Sequence, residues 1–317
     1  MTRFRRFTIY AWLVLGYTVL VILWGAYVRA TGSGAGCGSH WPLCNGQVIP
    51  RAPAVETLVE YSHRLTSAFS GFLVLGLLFG AFRLYPKGHP VRRGAVLSTF
   101  FIVTEGLVGA GLVLFELVAY NESAARAMWG AAHLVNTFLL LAALTLTVWW
   151  AMGERPLRWR QQGHITWWVA SSLVAVLILG ASGAITALGD TLYPATSLAE
   201  GIQQDFSPTA HFLIRLRVWH PTLAILIGLY LVISSTLIYR ARPNQQTLVF
   251  SRMLKVLYIA QLLAGALNVF LLAPVWMQLV HLLLADVVWI TLVMLAAAAL
   301  AESVPIAGQV PVVQPGD

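Results

Sequence analysis

Charge is scarce in this chain. Asp, Glu, Lys and Arg make up 10% of its 317 residues, while hydrophobic side chains make up 58%. No ordinary soluble domain of that size keeps a wettable surface with so few charges, so most of the surrounding solvent is expected to be lipid. Acids are rarer than bases, 12 against 20. The basic excess forms neither a stripe nor a recognisable motif, which argues against a nucleic-acid partner. Cysteine is limited to Cys37 and Cys44. No carboxylate or thiolate cluster accompanies the histidines, so a closed tetrahedral zinc site is excluded.

What the chain has in quantity is apolar length. Runs of about 20 residues, enough to cross roughly 30 Å of hydrocarbon, occur near 8–29, 64–83, 95–117, 127–151, 164–188, 218–239, 253–272 and 275–300. The expected fold is an all-α membrane protein with eight transmembrane helices, and an even number puts both ends on one side of the bilayer. That side gathers Arg3, Arg5 and Arg6, then Arg83, Lys87, Arg92 and Arg93, then Arg155, Arg158 and Arg160, then Arg240, Arg242, Arg252 and Lys255. The other side has Arg29, Arg51, Arg64, Arg126, Arg215 and Arg217. The positive-inside rule makes the first side cytoplasmic, giving a multi-pass protein of the cell membrane with cytoplasmic N- and C-termini. The basic start resembles a signal peptide, but its apolar run is too long and has a counterpart later in the chain, so it is read as a retained first helix.

Compared with itself at an offset of roughly 150 residues, the chain shows a weak parallel repeat. Trp24-Gly25-Ala26-Tyr27 answers Leu179-Gly180-Ala181-Ser182, and Glu105-Gly106-Leu107-Val108-Gly109 answers Gln261-Leu262-Leu263-Ala264-Gly265. His63 answers His220, and His133 answers His281. Two pseudo-repeated four-helix bundles are expected, over 1–155 and 156–301, followed by a disordered tail over 302–317. The longer connections 30–62 and 189–216 occupy the same place in each half and are expected to cap the helix mouths.

A histidine inside a membrane helix is costly unless it faces the bundle interior and has a partner. Four of them, one on every second helix and all towards the external side, point to metal or haem ligation. Two imidazoles per half suffice for haem iron, because the porphyrin supplies the equatorial nitrogens and facing helices of a bundle supply the axial ones. His63 and His133 would form one pair, His220 and His281 the other. Haem propionates call for arginine. Arg64 directly follows His63, whereas Pro221 stands after His220 and Arg217, about one turn earlier, is the substitute. Glu60 lies three residues before His63, on the same helix face and within reach of a bound ring. Glu105 and Asp286 are intramembrane acids, readable either as proton carriers or as hydrogen-bonded neutral acids. His40, His89, His164 and His211 lack repeat mates and are read as loop or interface residues.

Two stretches carry a family signature. One is Gly25-Ala26-Tyr27-Val28-Arg29-Ala30-Thr31-Gly32-Ser33-Gly34 running into Cys37 and Trp41-Pro42-Leu43-Cys44; the other is Glu60-Tyr61-Ser62-His63-Arg64-Leu65-Thr66-Ser67. With the later His133, His220 and His281 they resemble the haem A synthase family, from the first helix to the eighth. The resemblance implies oxidation of the C8 methyl of haem O to a formyl group, through hydroxylated intermediates, yielding haem A for terminal oxidase assembly. It implies that His63 and His133 hold the substrate haem with Glu60 at the reacting edge, and that His220 and His281 bind a haem b cofactor. It also implies a Cys37–Cys44 loop disulfide, of redox or structural role, and a haem O synthase as the donor of substrate. It names no electron acceptor, and a homo-oligomer in the bilayer is compatible with it. Pro221 departs from the pattern, and Glu105 has Gln261 as its repeat mate, so the two halves differ in role.

Two other classes of function fit the same bundle. A two-haem b-type electron carrier would return both haems unmodified. A transporter or haem chaperone would also use repeats and helix-lined cavities, although the repeats here are parallel and charged positions along the spans are few.

Overall fold

The structure is a computed structural model and describes residues 3–301, so the tail expected over 302–317 lies outside the described residues. In hydrocarbon every backbone N–H and C=O has to be paired within the protein. The apolar runs accordingly close their own hydrogen bonds as helices: α1 Arg3–Ala30, α2 Val55–Leu84, α3 Pro90–Leu114, α4 Ala124–Ala151 and α5 His164–Leu192. Two short helices follow, α6 Leu198–Asp205 and α7 Phe212–Arg217, then α8 Trp219–Ala241, α9 Gln245–Phe270 and α10 Val275–Leu300. With α7 and α8 counted as one span, eight helices are long and apolar enough to cross a membrane, and no strand occurs among the described residues. The chain is a multi-pass membrane protein.

The connections hold more structure than their composition suggests. Helix α2 starts at Val55, inside the connection expected over 30–62, so Glu60, His63 and Arg64 are all helical. The connection 189–216 contains the end of α5, all of α6 and most of α7. Ser197 caps α6 by accepting from Glu200 N at 3.2 Å. Pro221 falls in the first turn of α8, where its missing N–H leaves no intrahelical bond unmade.

Helices α4 and α10 are the most enclosed of the spans. They pack on each other and on α1 and α5, with α3 against α4 and α9 against α10. Phe138 of α4 and Trp289 of α10 stack at the centre with ring centroids 5.3 Å apart, and Trp289 Nε1 donates to Phe138 O at 2.6 Å. Small polar side chains join the outer helices. Thr18 and Ser70 hydroxyls meet at 3.2 Å between α1 and α2, and Ser172 and Ser234 at 3.0 Å between α5 and α8.

Candidate functional site

The second, fourth, sixth and eighth spans all start at the end of the bundle that carries the cysteine loop, and the four histidines lie in their first halves. All four imidazoles line one cavity of about 1750 Å³ with a mostly apolar wall. It exceeds the roughly 300–1000 Å³ of an ordinary small-molecule pocket.

Each ring stands against a glycine of a neighbouring helix. A Cβ on Gly25 would lie 2.8 Å from His63 Cε1, on Gly183 3.0 Å from His220 Cε1, and on Gly265 3.0 Å from His281 Cε1. At Gly109 it would lie 3.8 Å from His133 Nε2, an ordinary contact. Three of the rings therefore occupy space that any larger residue would fill. Gly183 rather than Gly180 faces His220, while Gly180 packs on Phe138. The two glycines are neighbours on one helix face, and packing distinguishes them where sequence similarity did not.

The centroids of His220 and His281 are 6.4 Å apart with their planes at 88°. His220 Nδ1 lies 2.9 Å from Ser182 Oγ, and Gln261 Nε2 lies 3.3 Å from His281 Nε2. In the other pair, His133 Nδ1 is 3.0 Å from Glu105 Oε1, and Glu105 also accepts from Thr137 Oγ1 and Asn136 Nδ2. The Nδ1 atoms of His63 and His281 are enclosed without a hydrogen-bond partner among the described residues. No group of three His, Cys, Asp or Glu stands close enough to hold a metal ion among the described residues. The imidazoles can thus serve an ion that brings most of its own ligands.

Cys37 and Cys44 are joined by a disulfide, and both are 0% exposed. Their loop sits on the start of α2. Cys37 N donates to Glu60 Oε2 at 2.8 Å and Arg64 Nε donates to Glu60 Oε1 at 3.1 Å. Arg64 Nη1 donates to the carbonyls of His40 and Leu43 at 2.6 and 2.7 Å, and Thr57 Oγ1 donates to Gly36 O at 2.7 Å. A Cβ on Gly36 would meet the Glu56 carbonyl carbon at 2.5 Å, so only glycine lets the loop come this close. Glu60 is buried where helix, loop and cavity meet.

Arg217 is buried beside two acids, with Nη1 3.3 Å from Asp190 Oδ1 and Nη2 2.8 Å from Asp205 Oδ1. It also donates to Tyr193 O at 3.1 Å and Gln204 Oε1 at 3.2 Å, fastening α6 to the end of α5. Two further arginines, Arg29 and Arg126, also line the cavity. Arg29 of α1 crosses to α5 and α10: Nη1 donates to Ala187 O and Thr191 Oγ1, each at 2.7 Å, and Nη2 to Gln278 Oε1 at 2.9 Å. Arg126, at the start of α4, donates from Nη1 to Ala119 O and, at 2.8 Å, to Asn121 O. Their signal in the sequence was no more than an arginine at the end of a span. Asp286 is fully buried outside the cavity wall, with neither carboxylate oxygen hydrogen-bonded among the described residues. His89 and His211 cap α3 and α7, accepting from Val91 N and Leu213 N.

Curated proteins named "Protoheme IX farnesyltransferase", from two strains of Thermus thermophilus, are each 56% identical to this chain over 291 residues, 92% of it and 48% of theirs. The chain thus spans about half the length of these relatives. A "Heme A synthase" of Halalkalibacterium halodurans is 46% identical over 97 residues, 31% of this chain and 33% of its own. Residues 8–293 match the COX15-CtaA family, described as cytochrome oxidase assembly protein. That range holds the cysteine loop, Glu60 and all four histidines, and the chain belongs to the COX15-CtaA family of cytochrome oxidase assembly proteins.

Proposed function

We propose that this chain is a haem A synthase, oxidising the C8 methyl of haem O to a formyl group for terminal oxidase biogenesis. The observation that carries the reading is the convergence of four imidazoles, one from every second span, on a single largely apolar cavity. The residues fit a tetrapyrrole. Two imidazoles whose nitrogens each sit about 2 Å from a metal have ring centres roughly 6 Å apart, and His220 and His281 stand at 6.4 Å. In this reading they hold haem b, which when bound supplies one-electron redox chemistry.

His63 and His133 then hold the iron of the substrate. Glu105 fixes the orientation of His133 through Nδ1 and raises its basicity as a ligand. Glu60, one turn before His63, is held by Cys37 N and Arg64, and takes up protons as the methyl carbon is oxidised. Water supplies the formyl oxygen (R–CH3 + H2O → R–CHO + 4 H+ + 4 e−), and the apolar wall keeps the rest of bulk water from the reacting edge. The electrons leave to an acceptor outside this chain, and Arg64 and Thr57 hold the disulfide-closed loop against the start of α2 beside Glu60.

Substrate comes from a haem O synthase. The name of the Thermus relatives, protoheme IX farnesyltransferase, supports a farnesylated tetrapyrrole as the ligand class. Magnesium diphosphate chemistry relies on carboxylates at the metal, and the acids lining this cavity are instead paired with arginine or histidine. That supports placing farnesyl transfer outside this chain. The basic end of the bundle faces the cytoplasm of a cell membrane, following the distribution of Arg and Lys.

The test is haem extraction with chromatography and mass detection, on protein made in cells that also produce haem O, beside His63→Ala and Glu60→Gln variants. Haem b together with haem O, haem A or an oxidised intermediate is expected, the latter group being lost with His63→Ala. Haem b alone, unchanged by that mutation, would overturn the reading in favour of an electron carrier. Full haem A output from Glu60→Gln would remove Glu60 from the mechanism.

A further inference from the structure

Four arginines line the cavity, and they divide into two kinds. Arg64 and Arg217 have carboxylates within 4 Å, from Glu60 and from Asp190 and Asp205. Arg29 and Arg126 have none among the described residues, and every group they donate to is neutral. Arg126 is only 6% exposed. Its Nη1 makes both of its hydrogen bonds to the loop, which leaves Nε and Nη2 unbonded among the described residues, and neither atom is enclosed. Arg29 feels the repulsion of Arg126 and, more strongly, the attraction of Asp190, whose carboxylate Arg217 also engages at 3.3 Å. One carboxylate shared between two guanidiniums, with a third beside them, leaves positive charge in a low-dielectric wall that a bound anion would balance.

Their positions say where the anion belongs. Arg126 precedes His133 by seven residues on α4, two turns away on the same face. Arg29 follows Gly25, the glycine against His63, by one turn of α1. Both therefore stand on the loop side of the His63–His133 pair, Arg126 beside that pair alone and Arg29 between the two pairs, since its partners Ala187 and Gln278 lie one turn from Gly183 and from His281.

We propose that Arg29 and Arg126 form a carboxylate-binding site for the propionates of the porphyrin held by His63 and His133. This rests on the tetrapyrrole reading above. It shifts recognition of the anionic edge away from Arg64 and Arg217, whose charges Glu60 and Asp205 already balance. Arg29 also donates to α5 and α10, so the site bridges the first four helices and the last four. A fatty-acid carboxylate offers the same chemistry and is the competing source.

The test titrates haem-depleted full chain in detergent with haemin and with haemin dimethyl ester, read by the Soret band, the His63→Ala variant identifying the step that belongs to this pair. Loss of a charge-assisted hydrogen bond predicts weakening by roughly ten- to a hundredfold. The ester should bind wild type weaker by that factor. Arg126→Gln and Arg29→Gln should bind haemin correspondingly weaker and no longer distinguish it from the ester, and Arg126→Lys should keep most of the affinity. Wild type binding haemin and ester equally would overturn the inference, and that comparison needs no variant to fold. So would Gln variants that discriminate as wild type does. Oleate bound in an Arg126-dependent way, with no ester effect, would assign the site to a lipid carboxylate instead. Absence of any Soret change in wild type would sink the tetrapyrrole reading and this inference with it.

Discussion

A methyl group added at Gly25 tests whether the glycines exist to seat the imidazoles. Gly25→Ala would place its Cβ 2.8 Å from His63 Cε1, against about 3.5–4.0 Å for an unstrained carbon contact. The shortfall of roughly 0.7–1.2 Å falls on a ring whose Nδ1 has no partner among the described residues to anchor it. Overpacking costs about 1–3 kcal/mol, and replacing a helical glycine by alanine returns up to about 1 kcal/mol. The fold should survive with a net loss of about 0–2 kcal/mol once the full helix gain is counted, while the ring is pushed off its axis. Tetrapyrrole affinity is expected to fall by about tenfold or more, each tenfold being about 1.4 kcal/mol. Gly109→Ala is the matched control, because its Cβ meets His133 Nε2 at 3.8 Å, and affinity should stay within about twofold. Gly183→Ala and Gly265→Ala, at 3.0 Å, should weaken the His220–His281 step alone. Soret titration gives the affinities and thermal unfolding of the haem-free protein gives the stability. Wild-type binding by Gly25→Ala, or an equal loss in Gly109→Ala, would refute the reasoning.

Two further outcomes follow from the loops. Arg64 and Thr57 hold the cysteine loop independently of the disulfide, so after reduction the buried thiols should alkylate slowly in wild type and several-fold faster in Arg64→Gln; equal rates would show that Arg64 does not clamp the loop. Arg217→Gln removes the ion-pair partner of the half-buried Asp190 and Asp205, and should destabilise by about 1–3 kcal/mol. Adding Asp190→Asn should restore part of that in detergent melting curves, and no recovery would count against the ion pair.

The eight spans were legible because lipid leaves an apolar run of that length no alternative to helix. The histidines were legible for the same reason, each being a costly polar group in such a run. What composition could not show was where the polar stretches become helical. The first two turns of α2 carry Glu56, Glu60 and Tyr61, which place them outside an apolar window, yet the docked cysteine loop folds them into the span. The helices α6 and α7 are held by Arg217 and its acids, contacts between residues far apart along the chain. Arg29 lies within the first signature stretch, but its partners Ala187, Thr191 and Gln278 come from the other half of the sequence. An offset of one helical turn was beyond similarity alone, as Gly180 and Gly183 illustrate.

Glu105 and Gln261, matched by position in the repeat, give the two histidine pairs different chemistry. Glu105 presents a carboxylate to His133 Nδ1 at 3.0 Å, whereas Gln261 brings a neutral amide to the other nitrogen of His281, Nε2. A carboxylate on Nδ1 makes the imidazole a stronger donor and favours the oxidised state of a bound iron. Glu105→Gln keeps the shape and removes the charge. It should raise the midpoint potential of the step that His63→Ala abolishes and leave the His220–His281 step where it was. If the whole of a charge-assisted hydrogen bond, about 1.5–3 kcal/mol, were expressed in that couple, the shift would be on the order of 60–120 mV. Redox titration of the two steps decides it, and equal movement of both, or of neither, would sink the argument. In the haem A synthase proposed above, a lower potential at His63 and His133 than at His220 and His281 would send electrons away from the carbon being oxidised. By that logic, an acid beside one histidine pair and an amide beside the other would separate a substrate site from an electron-accepting one.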